Sequence, residues 1–423
     1  MEQNLKIIVF DDDPTGSQTL HGCPLLLNFS SSNLAAGLAD PGPLLFLITN
    51  TRALEPNQVA EELKAICSRL KPLLQTLKRP WLVVSRGDST MRGHTPLELD
   101  LLWDLLGPFH AKLLVPAFPE GGRTTVAAQH LLHGKPVHLS PFAKDQRFGY
   151  GSSDLSQWLE FKSGGRIVSK TVAKLRPSDS LAQLAQGQWA VIDAQTPEDL
   201  GRLGNSLRQE LIGAGRRHLC QSAASLLNGL AQIRPAQFSL NQLSPCQGPG
   251  LVLVGSHVPL ADQQLQQLLA APGCRGVEYP IDQFDPAEPQ HLHTLLLTKL
   301  ETIQSQGFTP VLYSSRGERI DLTPLGQQQI AKGMAKLALN LPLPPGYVIA
   351  KGGTTSFTFL RDGLGLERLA LMGQLLPGLS LVLPEPAHPQ WGLIPVITFP
   401  GNLGDSKTLL ECWQSLERWR LTE

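Results

Sequence analysis

The feature that most constrains this chain is a repeated unit: a short apolar run that stops abruptly at a polar, glycine- or arginine-bearing segment. IIVF ends in DDDPTGSQT, LLFLI in TNTR, WLVV in SRGDSTMRG and KLLV in PAFPEGGRTT. Runs this short and this continuously apolar read as strands buried on both faces, the mark of a parallel sheet covered by helices. The order of strand, polar loop and helix returns in the second half, at GLVLVG before SHVPLADQQLQQLL, at PVLYSSRGE, at YVIAKGGTTSFTFL and at IPVITFPGNLGD. Such alternation predicts an α/β protein with mostly parallel sheets, whose ligands gather at the carboxyl ends of the strands.

A chain of 423 residues is longer than one hydrophobic core usually holds. Between the two halves, IRPAQFSLNQLSPCQGPG (232–249) is rich in Pro and Gly, poor in charge and without helical period. Two α/β/α domains are therefore predicted, 1–235 and 249–423, with an active-site cleft between them. Lys+Arg and Asp+Glu both number 36 and the pI is about 7.2, so no overall field favours nucleic acid or an anionic membrane. No apolar stretch reaches the roughly 18 residues a membrane span needs, and Met1 to Lys6 lacks the pattern of a signal peptide. A cytoplasmic protein is expected. The six cysteines are scattered without CxxC spacing, which predicts free thiols.

Asp11, Asp12 and Asp13 stand together at a strand end and would repel one another unless a cation joins them; magnesium, arginine or a phosphorylated substrate would each serve. Parallel strands would bring this loop beside those carrying Arg52, Arg86, Asp88, Arg92, Glu120 and Arg123. Loops of the second half are poor in carboxylates and rich in Gly, Ser and Thr, a composition suited to backbone amides and hydroxyls around phosphates. Neither GxxxxGK[ST] nor a well-placed GxGxxG occurs, which argues against P-loop and dinucleotide-binding proteins. Gly352 and Gly353 would let the backbone approach a phosphate, Thr354 and Thr355 would offer hydroxyls, and Gly401 and Asn402 in FPGN repeat the pattern. A plain glycine turn with a threonine cap explains the same residues. Ser256 beside His257 makes no catalytic triad, because adjacent side chains rarely face each other; the serine is better placed as a phosphate-binding hydroxyl. His130 and His133 read as parts of a hairpin around Gly134 and not as a metal pair.

Taken together, these segments resemble the four-carbon acid sugar kinase family, which pairs an N-terminal sugar-binding domain with a C-terminal nucleotide-binding domain. DDDPTGSQT is similar to the family's opening DD-TG signature, SRGDSTMRG to its DST-x-RG segment and PAFPEGGRTT to its PAFPxxGRTT segment, in the same order. PFAKD, VIDAQTPEDL and the GSH, KGGTTS and FPGN loops also occupy the family's positions. Two departures set this chain apart: Thr354 stands where many members carry an acidic residue, and FPGN replaces a KSGNFG-like ending.

The resemblance implies transfer of the ATP γ-phosphoryl group to a hydroxyl of a small sugar acid such as erythronate, threonate or 2-oxo-tetronate, with Mg2+ carried on the nucleotide. It implies Asp12 or Asp88 as the base and Asp11, Arg52, Arg86, Ser89, Arg92 and Arg123 as substrate-binding residues, Arg92 foremost. Asp11 serves equally as a magnesium ligand or a loop anchor. Ser256, Gly352, Gly353, Thr354, Thr355, Gly401 and Asn402 become the nucleotide-binding set. The implied partners are the sugar acid and ATP, with neither nucleic acid nor membrane, and a homodimer is compatible with this reading. Two other readings compete. Asp11, Asp13 and Thr15 match the DxDxT spacing of haloacid-dehalogenase-like phosphatases, in which Asp11 would be the nucleophile, and a two-domain α/β chain can also be a non-catalytic sugar-acid sensor.

Overall fold

The computed structural model describes residues 5–281, 289–316 and 324–422, which form two compact units, Met1–Pro235 and Ala236–Glu423. Strands of the first unit are β1 (Lys6–Asp11), β2 (Cys23–Leu26), β3 (Leu44–Ile48), β4 (Trp81–Arg86), β5 (Lys112–Val115), β6 (Arg123–Val126), β7 (Gln129–Leu132), β8 (Lys135–Pro136), β9 (Ala173–Leu175), β10 (Trp189–Ile192) and β11 (Leu219–Ser222). Its helices are α1 (Ser31–Ala39), α2 (Pro56–Thr76), α3 (Leu97–Leu106), α4 (Leu155–Lys162), α5 (Pro197–Ala214) and α6 (Ala224–Ala231).

The main sheet of this unit runs β2-β3-β1-β4-β11-β5-β10-β9, and each neighbouring pair is parallel. Every residue of β1 and β3 is buried, as the apolar runs IIVF and LLFLI require, and the burial extends to Lys6 and Asp11 at the ends of β1. Ile8, Phe10, Leu45 and Leu47 pack against Val59, Leu63, Ile66 and Leu70, the apolar stripe of α2. Each such side chain contributes about 1.5–3 kcal/mol on burial. Pro56 at the first turn and the reciprocal Glu55/Gln58 capping box start α2 where the polar TNTR loop ends. β3 and β4 lie on opposite sides of β1, so the chain leaves β1 in both directions, and the carboxyl end of β1 becomes the switch point where open α/β sheets bind ligands. A small antiparallel sheet, β6-β7-β8, stands apart; its β7–β8 turn contains His133 and Gly134, as the hairpin reading expects.

In the second unit, β12 (Leu251–Val254), β13 (Cys274–Tyr279), β14 (Thr309–Ser314), β15 (Val348–Lys351), β16 (Arg368–Leu376), β17 (Leu379–Pro384) and β18 (Val396–Phe399) alternate with α7 (Pro259–Leu269), α8 (Pro289–Ser305), α9 (Pro324–Leu339), α10 (Gly353–Thr358) and α11 (Thr408–Arg420). Its strands run β13-β14-β12-β15-β18-β17-β16, parallel through β18, with β17 antiparallel to both its neighbours. The switch point here falls between β12 and β15. Residues 236–249, which the sequence suggests as linker, pack on this unit: the Phe238 amide donates to the Gln374 carbonyl (2.7 Å), and Phe238, Leu240 and Leu243 lie against its core. Among the described residues no helix is long and apolar enough to cross a membrane. All six cysteines are free.

Candidate active site

In the first unit, the three aspartates that follow β1 are neutralised by two arginines from neighbouring strand ends. Arg52 forks onto Asp12, Nη2 to Oδ1 at 2.6 Å and Nε to Oδ2 at 3.0 Å, while its Nη1 donates to Asp13 at 3.1 Å. Arg86, the last residue of β4, donates from Nη1 to Asp11 (3.2 Å) and Asp12 (3.4 Å). β1 and β4 are paired with Asp11 level with Arg86, so sheet register creates this contact. Burial pushes the Asp11 carboxyl up to about 7 although Arg86 opposes the shift. Burial also raises Asp12 above its ordinary value against the pull of Arg52, whereas Asp13, which is partly exposed, is held below the ordinary value by Arg52 and Arg86. Glu98 on α3 is buried as well and is pushed up to about 7, by burial first and then by the Asp12 charge.

Gly16 closes this loop over the aspartates. A Cβ there would lie 2.3 Å from Asp11 Oδ1 and 2.5 Å from Arg86 Nη1, so only glycine lets the backbone come this close. Asp11 itself is completely buried. A nucleophile so enclosed has no room to take up a phosphoryl group, which overturns the DxDxT phosphatase reading for Asp11.

The DST loop after β4 carries the carboxylate that does face open space. Asp88 accepts from Arg92 Nε at 2.7 Å and from the Thr90 hydroxyl. Burial alone would raise its pKa, but Arg92 and Arg52 outweigh that and hold it far below the usual carboxylate range. The loop is fastened from outside: the His130 ring donates from Nε2 to the Ser89 carbonyl (2.8 Å) and the Tyr150 hydroxyl donates to the Thr90 carbonyl (2.7 Å). Burial drives His130 down to about 4, so the ring is neutral, with Nδ1 accepting from the Thr125 hydroxyl at 3.0 Å. His130 therefore positions the loop and binds no metal. Arg123 lies against the Phe118 ring, 5.9 Å from its centroid, and its buried Nε has no protein partner. Burial depresses the Arg123 pKa, with the Asp88 charge acting the other way.

Asp88 and Arg92 border a small, partly open pocket, whose wall continues through Thr95, Gln221, Ser222 and Trp158. Leu114 and Pro116 supply an apolar side. Asp11, Asp12, Arg52 and Arg86 do not line it; Asp11, Asp12 and Arg86 are buried and Arg52 is half-buried.

In the second unit, the loops after β12, β15 and β18 converge at the switch point. A Cβ on Gly255 would lie 2.3 Å from the Thr355 hydroxyl, one on Gly401 would lie 2.8 Å from Ser256 Oγ, and Gly352 has φ +112 with Ser256 and Thr355 close by. Ser256, Gly352, Gly353, Thr355 and Gly401 are thus gathered at one place, with Thr354 and Asn402 next to them in sequence. Arg316 occupies the carbonyls that end β12, donating to Val254 (2.9 Å) and to Ser256, and pairs with Asp262 at 3.0 Å. Lys351 is fully buried at the end of β15 and donates from Nζ to the Pro400 and Gly401 carbonyls at 3.2 and 3.3 Å, tying the FPGN loop to the KGG loop. Burial, reinforced by Arg316, pushes the Lys351 pKa down to about 7. His257 meets Ser314 through Nε2 at 3.1 Å, in keeping with the absence of a triad at Ser256.

Sequence reasoning missed Thr95, Trp158, Gln221, Ser222, Glu98, Arg316 and Lys351. RRHLCQSAASLLNGL repeats the strand, polar end and helix order and could have revealed β11; Lys351 was read only as the residue before a glycine loop.

Comparison with known proteins matches each half of the chain to a domain family. Residues 7–230 match the family model of a sugar-binding N-terminal domain and residues 251–409 that of a nucleotide-binding C-terminal domain. A D-threonate kinase of Salmonella typhimurium is 25% identical, over 98% of this chain and 99% of its own. A D-erythronate kinase of Heliobacterium modesticaldum is 32% identical, over 53% of this chain and 49% of its own. A solved Salmonella typhimurium LT2 protein described as a tRNA synthase shares the fold, with TM-score 0.69 at 16% identity over 96% of this chain and 98% of that one. The pairing of these two domain matches, which together take in nearly the whole chain, shows that it belongs to the four-carbon acid sugar kinase family.

Proposed function

We propose that this protein is an ATP-dependent kinase that phosphorylates a hydroxyl of a four-carbon sugar acid, threonate and erythronate being the first acids to try because relatives carry those names. The observation that carries the reading is the small pocket in which an ionised carboxylate, Asp88, stands beside an arginine, Arg92, within the part of the chain that matches a sugar-binding domain. A sugar acid needs both groups: a planar cation for its carboxylate and an acceptor for the hydrogen of the reacting hydroxyl.

In this mechanism Arg92 holds the acid's carboxylate and Asp88 orients the acceptor hydroxyl, taking its proton as the new P–O bond forms. A carboxylate held at such low pKa is a weak base toward a free alcohol, so the proton moves late, when bonding to phosphorus has already acidified the oxygen. Arg123, half-buried and with a buried Nε that has no protein partner, is available to the charge that develops on the phosphoryl oxygens. Ser89 is held at hydrogen-bonding distance of His130 through its carbonyl and completes the loop. Asp12 becomes a positioning residue: its fork with Arg52, together with the Asp11–Arg86 pair, fixes the strand ends from which the DST loop departs. In the second unit the hydroxyls of Ser256, Thr354 and Thr355 and the backbone of Gly352, Gly353, Gly401 and Asn402 are proposed to receive the ATP phosphates.

Among the described residues no group of three or more His, Cys, Asp or Glu is arranged to hold a metal, and the aspartates of the first loop are already bound to arginine. The described residues thus form no magnesium cage, and the ion is proposed to enter with the nucleotide. The test is ADP release from ATP across three- and four-carbon sugar acids, run beside Asp88→Asn. Release with one acid that falls by about 10²–10⁴-fold in the variant supports the reading; no release with any acid, or full release in the variant, overturns it.

A further inference from the structure

The end of β11, beside the start of the DST loop, carries buried polar groups that the protein leaves unanswered. β11 lies between β4 and β5, with Ser222 level with Arg86 on one side and Val115 on the other, so the pair Gln221–Ser222 ends at the same sheet edge as the DST loop. Ser222 is 2% exposed and Gln221 9%, and neither Ser222 Oγ nor Gln221 Oε1 has a hydrogen-bond partner in the protein. The backbone around them is well satisfied: the Ser222 carbonyl accepts from the Gly87 amide at 2.9 Å, and Gln221 spends its NH2 on the Thr95 hydroxyl. Gln221 is thereby oriented, with its oxygen the atom to spare. Leaving such a group unpaired and away from water is unfavourable, and a ligand hydroxyl removes that penalty.

The chemistry of a four-carbon sugar acid accounts for this surplus. With its carboxylate on Arg92 and its reacting hydroxyl on Asp88, the acid still presents hydroxyls that need partners, and those hydroxyls are what differ in direction between diastereomers. Leu114 and Pro116 can cover carbon but cannot read direction. We propose that Gln221 and Ser222 bind the non-reacting hydroxyls of the acid and decide which diastereomer is phosphorylated.

This inference rests on the kinase reading, and the experiment separates the two. Steady-state kcat/KM is measured for threonate and erythronate with the intact wild-type protein, Ser222→Ala and Gln221→Leu. Since misfolding lowers both acids alike, the ratio between them is the readout. The expected result is a preference in the wild type that shrinks by about 10-fold in at least one variant, because the hydroxyl that was rewarded no longer finds its partner. A wild-type enzyme that turns over an acid while both variants keep its preference overturns the inference and leaves the kinase reading standing. A wild-type protein that phosphorylates neither acid overturns the assigned substrate, and the inference with it.

Discussion

Gly16→Ala removes no charge and no hydrogen-bonding group, yet it should disable the protein. The added methyl would sit 2.3 and 2.4 Å from the two Asp11 carboxylate oxygens and 2.5 Å from Arg86 Nη1, where ordinary contact begins at 3.4 Å. Something must retreat by about 1 Å. The obstacle is no flexible surface tip: Asp11 is fully buried, and Arg86 is 5% exposed and bound to two aspartates. Separating a buried pair of this kind costs about 3–5 kcal/mol. For a unit of this size each kcal/mol lowers the melting temperature by about 2–4 °C, so a fall of roughly 6–20 °C is expected. Because β4 leads straight into the DST loop, a displacement of about 1 Å at Arg86 should also reduce turnover by about 10²-fold. Gly151→Ala is the comparator, as a Cβ there meets nothing within 4 Å, and it should stay within about 0.5 kcal/mol of wild type. Thermal melts by circular dichroism and sugar-acid turnover for the three proteins decide the matter. A Gly16→Ala protein that melts with the wild type and retains its turnover would refute the claim that the aspartate–arginine frame holds the site.

The frame should also be visible in the pH dependence of stability. Asp11 rises from 3.8 to about 7 on folding, so between those values the native state binds more protons than the unfolded chain. The contribution is complete below about 4 and disappears as pH rises through about 7, and urea melts of Asp11→Asn should lack this part of the wild-type decline; an identical decline in the variant would count against the protonated carboxyl. Lys351 behaves oppositely, because a pKa lowered from 10.5 to about 7 means the native state binds fewer protons in that window. Its contribution grows as pH rises from about 7 toward 10, and urea melts of Lys351→Met should show a flatter profile there. An unchanged rise would place the effect elsewhere.

Much of this arrangement was legible because charge at the end of an apolar run has few explanations. IIVF-DDD and WLVV-SRGD announce strand ends with ionised groups, and parallel pairing then brings Asp11 level with Arg86. Partners were harder to read than residue types. Arg52 and Arg86 have the chemistry of a substrate clamp, but only the register and the buried loop reveal that the Arg52 fork is filled by Asp12 and Asp13 and that Arg86 Nη1 is held by Asp11 and Asp12. β11 escaped notice because LCQS is half polar; its Gln and Ser look like loop residues until the sheet closes around them. The antiparallel β16–β17 pair was hidden for the opposite reason, since RLALMGQLLPGLSLVLP is so continuously apolar that it carries no period to separate hairpin from helix. Residues 236–249 resemble a linker in composition, yet Phe238, Leu240 and Leu243 are the anchors that bind the segment to the second unit.

The most direct test of the central claim is to follow the γ-phosphoryl group itself. ATP labelled there is incubated with the intact protein, a divalent cation and the preferred sugar acid, and the label is traced by mass spectrometry. The expected result is label on a hydroxyl of the acid, one equivalent per ADP formed, with none on the protein. Label released only as inorganic phosphate, or found covalently on Asp11, would contradict it.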